Sequence, residues 1–183
     1  YRTRRKKCVP ALGRFHGRTL GALGLPAWRE ARRLGVMRQA FDVVHIPDPN
    51  KFRHFATDRP TDEATVTRDA VNWIEKRLFQ TTTPAEEVAG IVLEVVQGEG
   101  GYIPAPNAFV KELRRICDEN GIMLIIDEVQ SGMGRTGKMF ALDHHPGVKA
   151  DIICMAKGIG SGVPVVSCQC RSGLMDWTKV AQP

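Results

Sequence analysis

The chain lacks the spacing that most directly signals a metal or a disulfide framework. Its five cysteines, Cys8, Cys117, Cys154, Cys168 and Cys170, contain no CxxC pair. Cys117 and Cys154 fall inside apolar elements, so zinc and disulfides are not expected and a reducing compartment fits. No apolar run approaches the roughly 18 residues of a membrane-spanning helix. The start is charged with no apolar stretch behind it, which is not a signal-peptide pattern. No Gly-x-Ser-x-Gly elbow is present, and Ser131 beside Gly132 reads as turn chemistry rather than a nucleophile. His144 and His145 precede Pro146-Gly147 and read as a surface loop, not a metal site. Repeats and low-complexity tracts are missing too.

Charge is unevenly distributed. The net charge is +6, with Arg2, Arg4, Arg5, Lys6 and Lys7 crowded at the start and Arg29, Arg32 and Arg33 following. A basic arm can attract nucleic acid or anionic membrane. No ribonucleoprotein, zinc-finger or helix-turn-helix pattern accompanies it, so neither nucleic acid nor membrane is an expected partner. A solvated terminus is the favoured reading of residues 1–14, with little regular structure assured around Pro10 and Gly13.

What is present is a succession of apolar strands and amphipathic helices. A helix is expected near Trp28 to Leu34 and a short strand at Val43 to Ile46, closed by Pro47 and Pro49. Val66, Ala70, Ile74 and Leu78 recur at a spacing of four, predicting a helix from Thr65 to Gln80. Val88 to Val96 reads as a buried strand leading to Gln97 and a loop of Gly98, Gly100 and Gly101. Asn107 can cap a helix whose apolar face is Phe109, Val110, Leu113, Ile116 and Cys117, and Gly121 ends it. Ile122 to Ile126 and Ile152 to Met155 are continuous apolar runs. Uniformly apolar strands alternating with helices predict an α/β fold with a mostly parallel sheet, flanked by helices and covered on both faces. In such sheets ligands bind beyond the carboxyl ends of the strands, and Gln97, Asp127 and Lys157 all fall there.

Asp127 and Lys157 are the pair with most chemical content. A lysine amine can form a Schiff base with the aldehyde of pyridoxal phosphate, and a carboxylate can keep its pyridine nitrogen protonated. Gly158, Gly160 and Gly162 leave room around Lys157. Spacing alone leaves a structural salt bridge or a strand-end cap equally open. The surrounding text decides. Asp127-Glu-Val-Gln-Ser-Gly-Met-Gly-Arg-Thr-Gly137 resembles the cofactor-binding segment of class III aminotransferases, of the 4-aminobutyrate, acetylornithine and ornithine type. Ala156-Lys157-Gly158 resembles their Schiff-base segment, Phe15-His16-Gly17-Arg18-Thr19 their ring-stacking segment, and Glu94-Val-Val-Gln97-Gly-Glu99-Gly-Gly their Glu-Pro-x-Gln-x-Glu-Gly segment, with Val95 where proline is usual.

The resemblance implies a fragment of the fold type I large domain binding pyridoxal 5′-phosphate. It makes Lys157 and Asp127 catalytic, and Phe15, His16, Asp127, Glu128, Val129, Gln130 and Lys157 cofactor-binding. Phe15 and Val129 would cover the two ring faces and Gln130 the 3-hydroxyl, while Glu128, with no cofactor atom to meet, is weighted toward a structural role. Arg18 and Glu99 would bind substrate. No metal is implied.

The implied activity is transfer of an amino group from an amino acid or ω-amino acid, 4-aminobutyrate-like, to a 2-oxo acid, by a homodimer in the intact enzyme. The 4-aminobutyrate preference rests on Gly137 to Ala141 and on Met175-Asp-Trp177. An amino-acid racemase of the same family and a catalytically silent truncated fragment are the alternatives. Residues 1–14 match poorly, 15–177 form the partial cofactor domain, and 178–183 are a truncated end. The 183 residues suit one domain, whereas chains of this class are more than twice as long. Such a protein is expected in the cytoplasm, or in mitochondria where a targeting segment has been lost.

Overall fold

The computed structural model describes residues 4–25 and 42–175. The expected helix from Trp28 to Leu34, Arg2 and the residues from Asp176 onward lie outside them. Among the described residues the fold is α/β around one six-stranded sheet in the order β2-β1-β3-β4-β5-β6. Its strands are β1 (Lys7–Pro10), β2 (Asp42–Val43), β3 (Val88–Leu93), β4 (Met123–Asp127), β5 (Ile152–Met155) and β6 (Ser167–Cys170). The first five run parallel and β6 pairs antiparallel to β5.

The basic start departs from expectation. Lys7 to Pro10 form an interior strand between β2 and β3, with Val9 wholly buried. The nearby charges find local partners: Arg5 donates to the Val88 carbonyl at 3.1 Å and Lys7 pairs with Glu87 at 2.7 Å. Arg5 and Lys7 thus flank a buried strand with their charged ends bonded locally, instead of forming a solvated arm. β2 is short, but the parallel track continues beyond it, with Ile46 N–H donating to the Pro10 carbonyl at 3.1 Å.

Among the described residues four α-helical segments accompany the sheet: α1 (Leu20–Leu23), α2 (Glu63–Asn72), α3 (Phe79–Thr81) and α4 (Asn107–Asn120). A π-helical segment, Trp73–Leu78, joins α2 to α3. A strict repeat of four drifts about 40° per step on a 3.6-residue helix. The wider turn at Trp73–Leu78 offsets that drift and keeps Val66, Ala70, Ile74 and Leu78 all buried. Asp62 caps α2, accepting from Thr65 N–H at 2.8 Å. In α4 the predicted apolar face is fully buried, and Gly121 ends the helix at φ +62°, where a β-carbon is disfavoured. Asn107 is the first helical residue rather than the cap, since Pro106 precedes it and no side chain caps the helix.

The core lies between the sheet and α2 and α4, with Leu124 and Ile126 of β4 facing it. On the opposite face of β4, Met123 and Ile125 are only half-buried among the described residues, so the expected cover on both faces is observed fully on one. Asp151 fastens the far edge. Its carboxylate accepts from Leu124 N–H at 2.8 Å and pairs with Arg114 and Arg171, each at 2.8 Å. One buried acid thereby ties α4, β4 and the segment after β6 together.

Candidate active site

The carboxyl ends of β3, β4 and β5 open on the same side, as parallel pairing requires. Asp127 is the last residue of β4 and sits opposite Cys154 of β5. Lys157 is the second residue after β5. The register thus brings an acid and an amine, thirty positions apart in sequence, to neighbouring strand ends.

Asp127 is buried and held from two directions. His16 Nδ1 is 2.9 Å from Asp127 Oδ2, and Val129 N–H donates to Oδ1 at 3.0 Å. The His16 side chain is 3% exposed, and its Nε2 is buried with no partner. A buried polar atom left open beside a fixed carboxylate is a mark of a site built for something that arrives from outside.

Lys157 is exposed and has φ +52°, an uncommon conformation for a non-glycine residue. It opens a 3-10 turn, Lys157–Gly160, and its Nζ donates to Gln130 Oε1. Gly98 makes the Gln130 position possible: a β-carbon there would lie 2.5 Å from Gln130 Cγ. Gly100 is tighter still, since a β-carbon would meet Gln97 Oε1 at 2.1 Å and the Gly13 carbonyl oxygen at 2.4 Å. The glycine loop after β3 is therefore pressed onto the residues it must support. A cavity of about 250 Å³ opens beside it, lined by Val96, Gly98, Tyr102, Gln130, Ser131 and Arg135.

The Phe15 segment is anchored by residues that sequence reasoning missed. Glu94, just past β3, is buried and accepts from Phe15 N–H at 2.9 Å and Gly98 N–H at 3.2 Å. Burial pushes the Glu94 carboxyl up; the Phe15 N–H, His16 and Arg14 pull it down, and Asp127 adds to the rise. Arg14, wholly buried, donates to the Glu94 carbonyl and pairs with Asp48. Its neighbours in sequence suggested an exposed charge. The signal available was Glu94 at the end of an apolar strand, a buried acid in need of donors.

Phe15 itself is half-buried, and exposed Arg18 stands over its ring at 6.0 Å from the centroid. Glu99 is exposed in the glycine turn. The structure thus gathers His16, Asp127, Val129, Gln130 and Lys157 into one cluster, with Phe15 and Arg18 beside it.

Glu128 points elsewhere. It is 1% exposed and accepts from Ser131 Oγ at 2.5 Å, Ala141 N–H at 3.2 Å and Leu142 N–H at 2.8 Å. Its carboxylate anchors the loop after Gln130, which is also the role of Ser131. His145, read as part of a surface loop, is buried, and burial with His144 and Lys111 nearby pushes its pKa down. Among the described residues no group of three or more His, Cys, Asp or Glu side chains could hold a metal ion. No helix among them is long and apolar enough to cross a membrane.

A buried acid fixed at one strand end, an amine at the next and a glycine loop beside both define a site of the kind that fold type I transferases use. The model of the aminotransferase class-III family matches residues 1–182, and the chain belongs to that family. It is 42% identical over 159 residues to acetylornithine aminotransferase of Methanopyrus kandleri, covering 87% of this chain and 34% of that one. Against putrescine aminotransferase of Pectobacterium atrosepticum the identity is 40% over 155 residues, or 85% and 28% of the two chains. Alanine/serine racemase of Pyrococcus horikoshii is 35% identical over 179 residues, 97% and 38%.

Among solved structures, an (S)-enantioselective ω-transaminase from Thermomicrobium roseum superimposes with TM-score 0.84 at 29% identity, covering 97% of this chain and 38% of that one. A pyridoxal phosphate-bound amine transaminase from an uncultivated Pseudomonas species gives 0.80 at 28%, covering 90% and 36%. The chain spans about 38% of the length of the racemase it matches. It corresponds to part of the large α/β domain of these enzymes, and pyridoxal 5′-phosphate is the cofactor of the family. The open His16 Nε2, the clamped Asp127 carboxylate and the Lys157–Gln130 contact fit that group.

Proposed function

We propose that the protein is a pyridoxal phosphate-dependent transaminase moving an amino group from an amino acid or ω-amino acid, 4-aminobutyrate-like, to a 2-oxo acid. The observation that carries this reading is the buried Asp127–His16 pair one strand away from Lys157. When bound, pyridoxal 5′-phosphate supplies an electrophilic carbon for amines and an electron sink for the carbanion that follows. Asp127 would hold the pyridine nitrogen, and its two fixed partners keep the carboxylate from turning away. Gln130 would meet the 3-hydroxyl, while Phe15 and Val129 pack against the ring faces. Lys157 would carry the cofactor at rest, then take the proton from the substrate α-carbon and deliver it two atoms away, across the amine nitrogen, in a 1,3-proton shift. Arg18, beside Phe15, suits a substrate carboxylate, and Glu99 would gate the same end. A homodimer and a reducing compartment such as the cytoplasm complete the proposal.

Kinship to an alanine/serine racemase supports a second reading, in which Lys157 returns the proton to the α-carbon it left. One single turnover separates the two. The protein loaded with pyridoxal phosphate is mixed with an amine donor, and the products are analysed. A 2-oxo acid or aldehyde in equal amount to pyridoxamine phosphate supports the transaminase. Inversion of the donor's α-carbon with no carbonyl product refutes it. Asp127→Asn should lose the turnover with either outcome, since both need the electron sink.

A further inference from the structure

Two cysteines face each other at the base of the loop that carries Lys157. Cys154 of β5 and Cys168 of β6 are direct partners in the antiparallel pair. Arg171 N–H donates to the Asp151 carbonyl at 3.0 Å. Opposed pairs alternate between hydrogen-bonded and open, so Asp151–Arg171 being bonded makes Cys154–Cys168 an open pair, three steps along. Open pairs bring their α-carbons to about 4.5 Å, within the span of roughly 4.4–6.8 Å that a disulfide bridges. The two side chains also lie close enough to influence each other electrostatically. Between them runs the loop of residues 156–166, which begins with Ala156 and Lys157.

We propose that Cys154 and Cys168 form a reversible cross-strand disulfide, made by exchange with a small-molecule disulfide, that closes the base of the loop carrying Lys157. Cys168 is exposed and meets the oxidant first, whereas Cys154 is half-buried. The Cys168 thiolate attacks oxidised glutathione and one glutathione thiolate leaves. The Cys154 thiolate then attacks the Cys168 sulfur, and the second glutathione leaves. Two cysteines are oxidised, one glutathione disulfide is reduced, and the two thiol protons end on the two glutathiones. Burial, followed by Cys168 and Asp127, pushes the Cys154 thiol up to about 12. Closure is therefore slow at neutral pH and quickens as the pH rises.

The consequence for Lys157 is mechanical. The loop is rich in glycine and its first turn holds Lys157 at positive φ, so a covalent link at its base narrows the conformations it can visit. The thiol chemistry needs neither cofactor nor substrate, so failure of the transaminase reading leaves it standing.

The reduced protein is incubated with oxidised glutathione, alkylated without reduction and digested for mass mapping. Expected is a peptide linking Cys154 to Cys168, loss of two of the five thiols, and their return with dithiothreitol. Five alkylated thiols, a bridge between other cysteines, or glutathione held on Cys168 would overturn the proposal. Limited trypsin cleavage after Lys157 should be several-fold slower in the oxidised protein; equal rates would refute the restraint. Cys168→Ser should abolish both effects, and their persistence in that variant would count against it.

Discussion

Removal of the Glu128 carboxylate should unfasten the loop that carries Gln130, and the size of the effect follows from its contacts. Three donors converge on this buried acid: Ser131 Oγ at 2.5 Å, Ala141 N–H at 3.2 Å and Leu142 N–H at 2.8 Å. Glu128→Ala leaves all three without a partner in a buried place. Each orphaned donor costs about 1–3 kcal/mol, and because Ser131 can turn and water can enter, a total of about 3–5 kcal/mol is expected. Glu128→Gln keeps the shape and one acceptor oxygen. Whichever way the amide is placed, its NH2 faces at least one of the backbone donors, so the loss should be about 1.5–3 kcal/mol. Urea unfolding followed by far-ultraviolet circular dichroism measures both, and amide exchange at Ala141 and Leu142 reports the loop directly. The order wild type, Gln, Ala is required. An alanine variant within about 1 kcal/mol of wild type, or Gln and Ala equally destabilised, would refute the anchoring argument.

Glu94 gives a pH test. Its folded pKa lies above the ordinary 4.5, so the folded state binds the proton more tightly than the unfolded chain. The stabilisation this provides is complete below the unfolded pKa and is lost as the pH rises through the folded one. Glu94→Gln cannot ionise, so its stability relative to wild type should improve as the pH rises above the ordinary carboxylate value of 4.5, in urea midpoints taken across a pH series. A flat or falling difference would contradict the burial argument. The glycine loop gives a ranking. Gly98→Ala meets a side chain that can shift, Gln130, whereas Gly100→Ala meets the Gly13 carbonyl oxygen at 2.4 Å. Overpacking of this kind costs about 1–3 kcal/mol, with Gly100→Ala the worse of the two in thermal unfolding. The reverse order would show that the loop yields at its backbone.

The parts of the fold legible in sequence were those set by local pattern. The apolar runs of β3, β4 and β5, the buried face of α4 and the stop at Gly121 each follow from periodicity or a single backbone preference. Asp127 and Lys157 were legible because their neighbours resemble a family segment, not because their spacing demanded it. What escaped depended on distant partners. Arg14 looks like one more basic residue near the start until Asp48 and the Glu94 carbonyl enclose it. β1 was obscured by charges that find their partners across the sheet, Lys7 in Glu87 and Arg5 in the Val88 carbonyl. Ser167 to Cys170 carry no long apolar run, and β6 is an edge strand defined by its pairing with β5. Glu128 could be weighted toward structure by elimination, but the three donors it serves come from residues up to fourteen positions away.

The most direct test of the central claim is where the cofactor attaches. The protein is incubated with a limiting amount of pyridoxal 5′-phosphate, reduced with borohydride, digested and mapped by mass. The account predicts that the pyridoxyl tag concentrates on Lys157 and disappears from the map in Lys157→Ala. A tag spread evenly over exposed lysines such as Lys111 and Lys138, unchanged by that substitution, would contradict it.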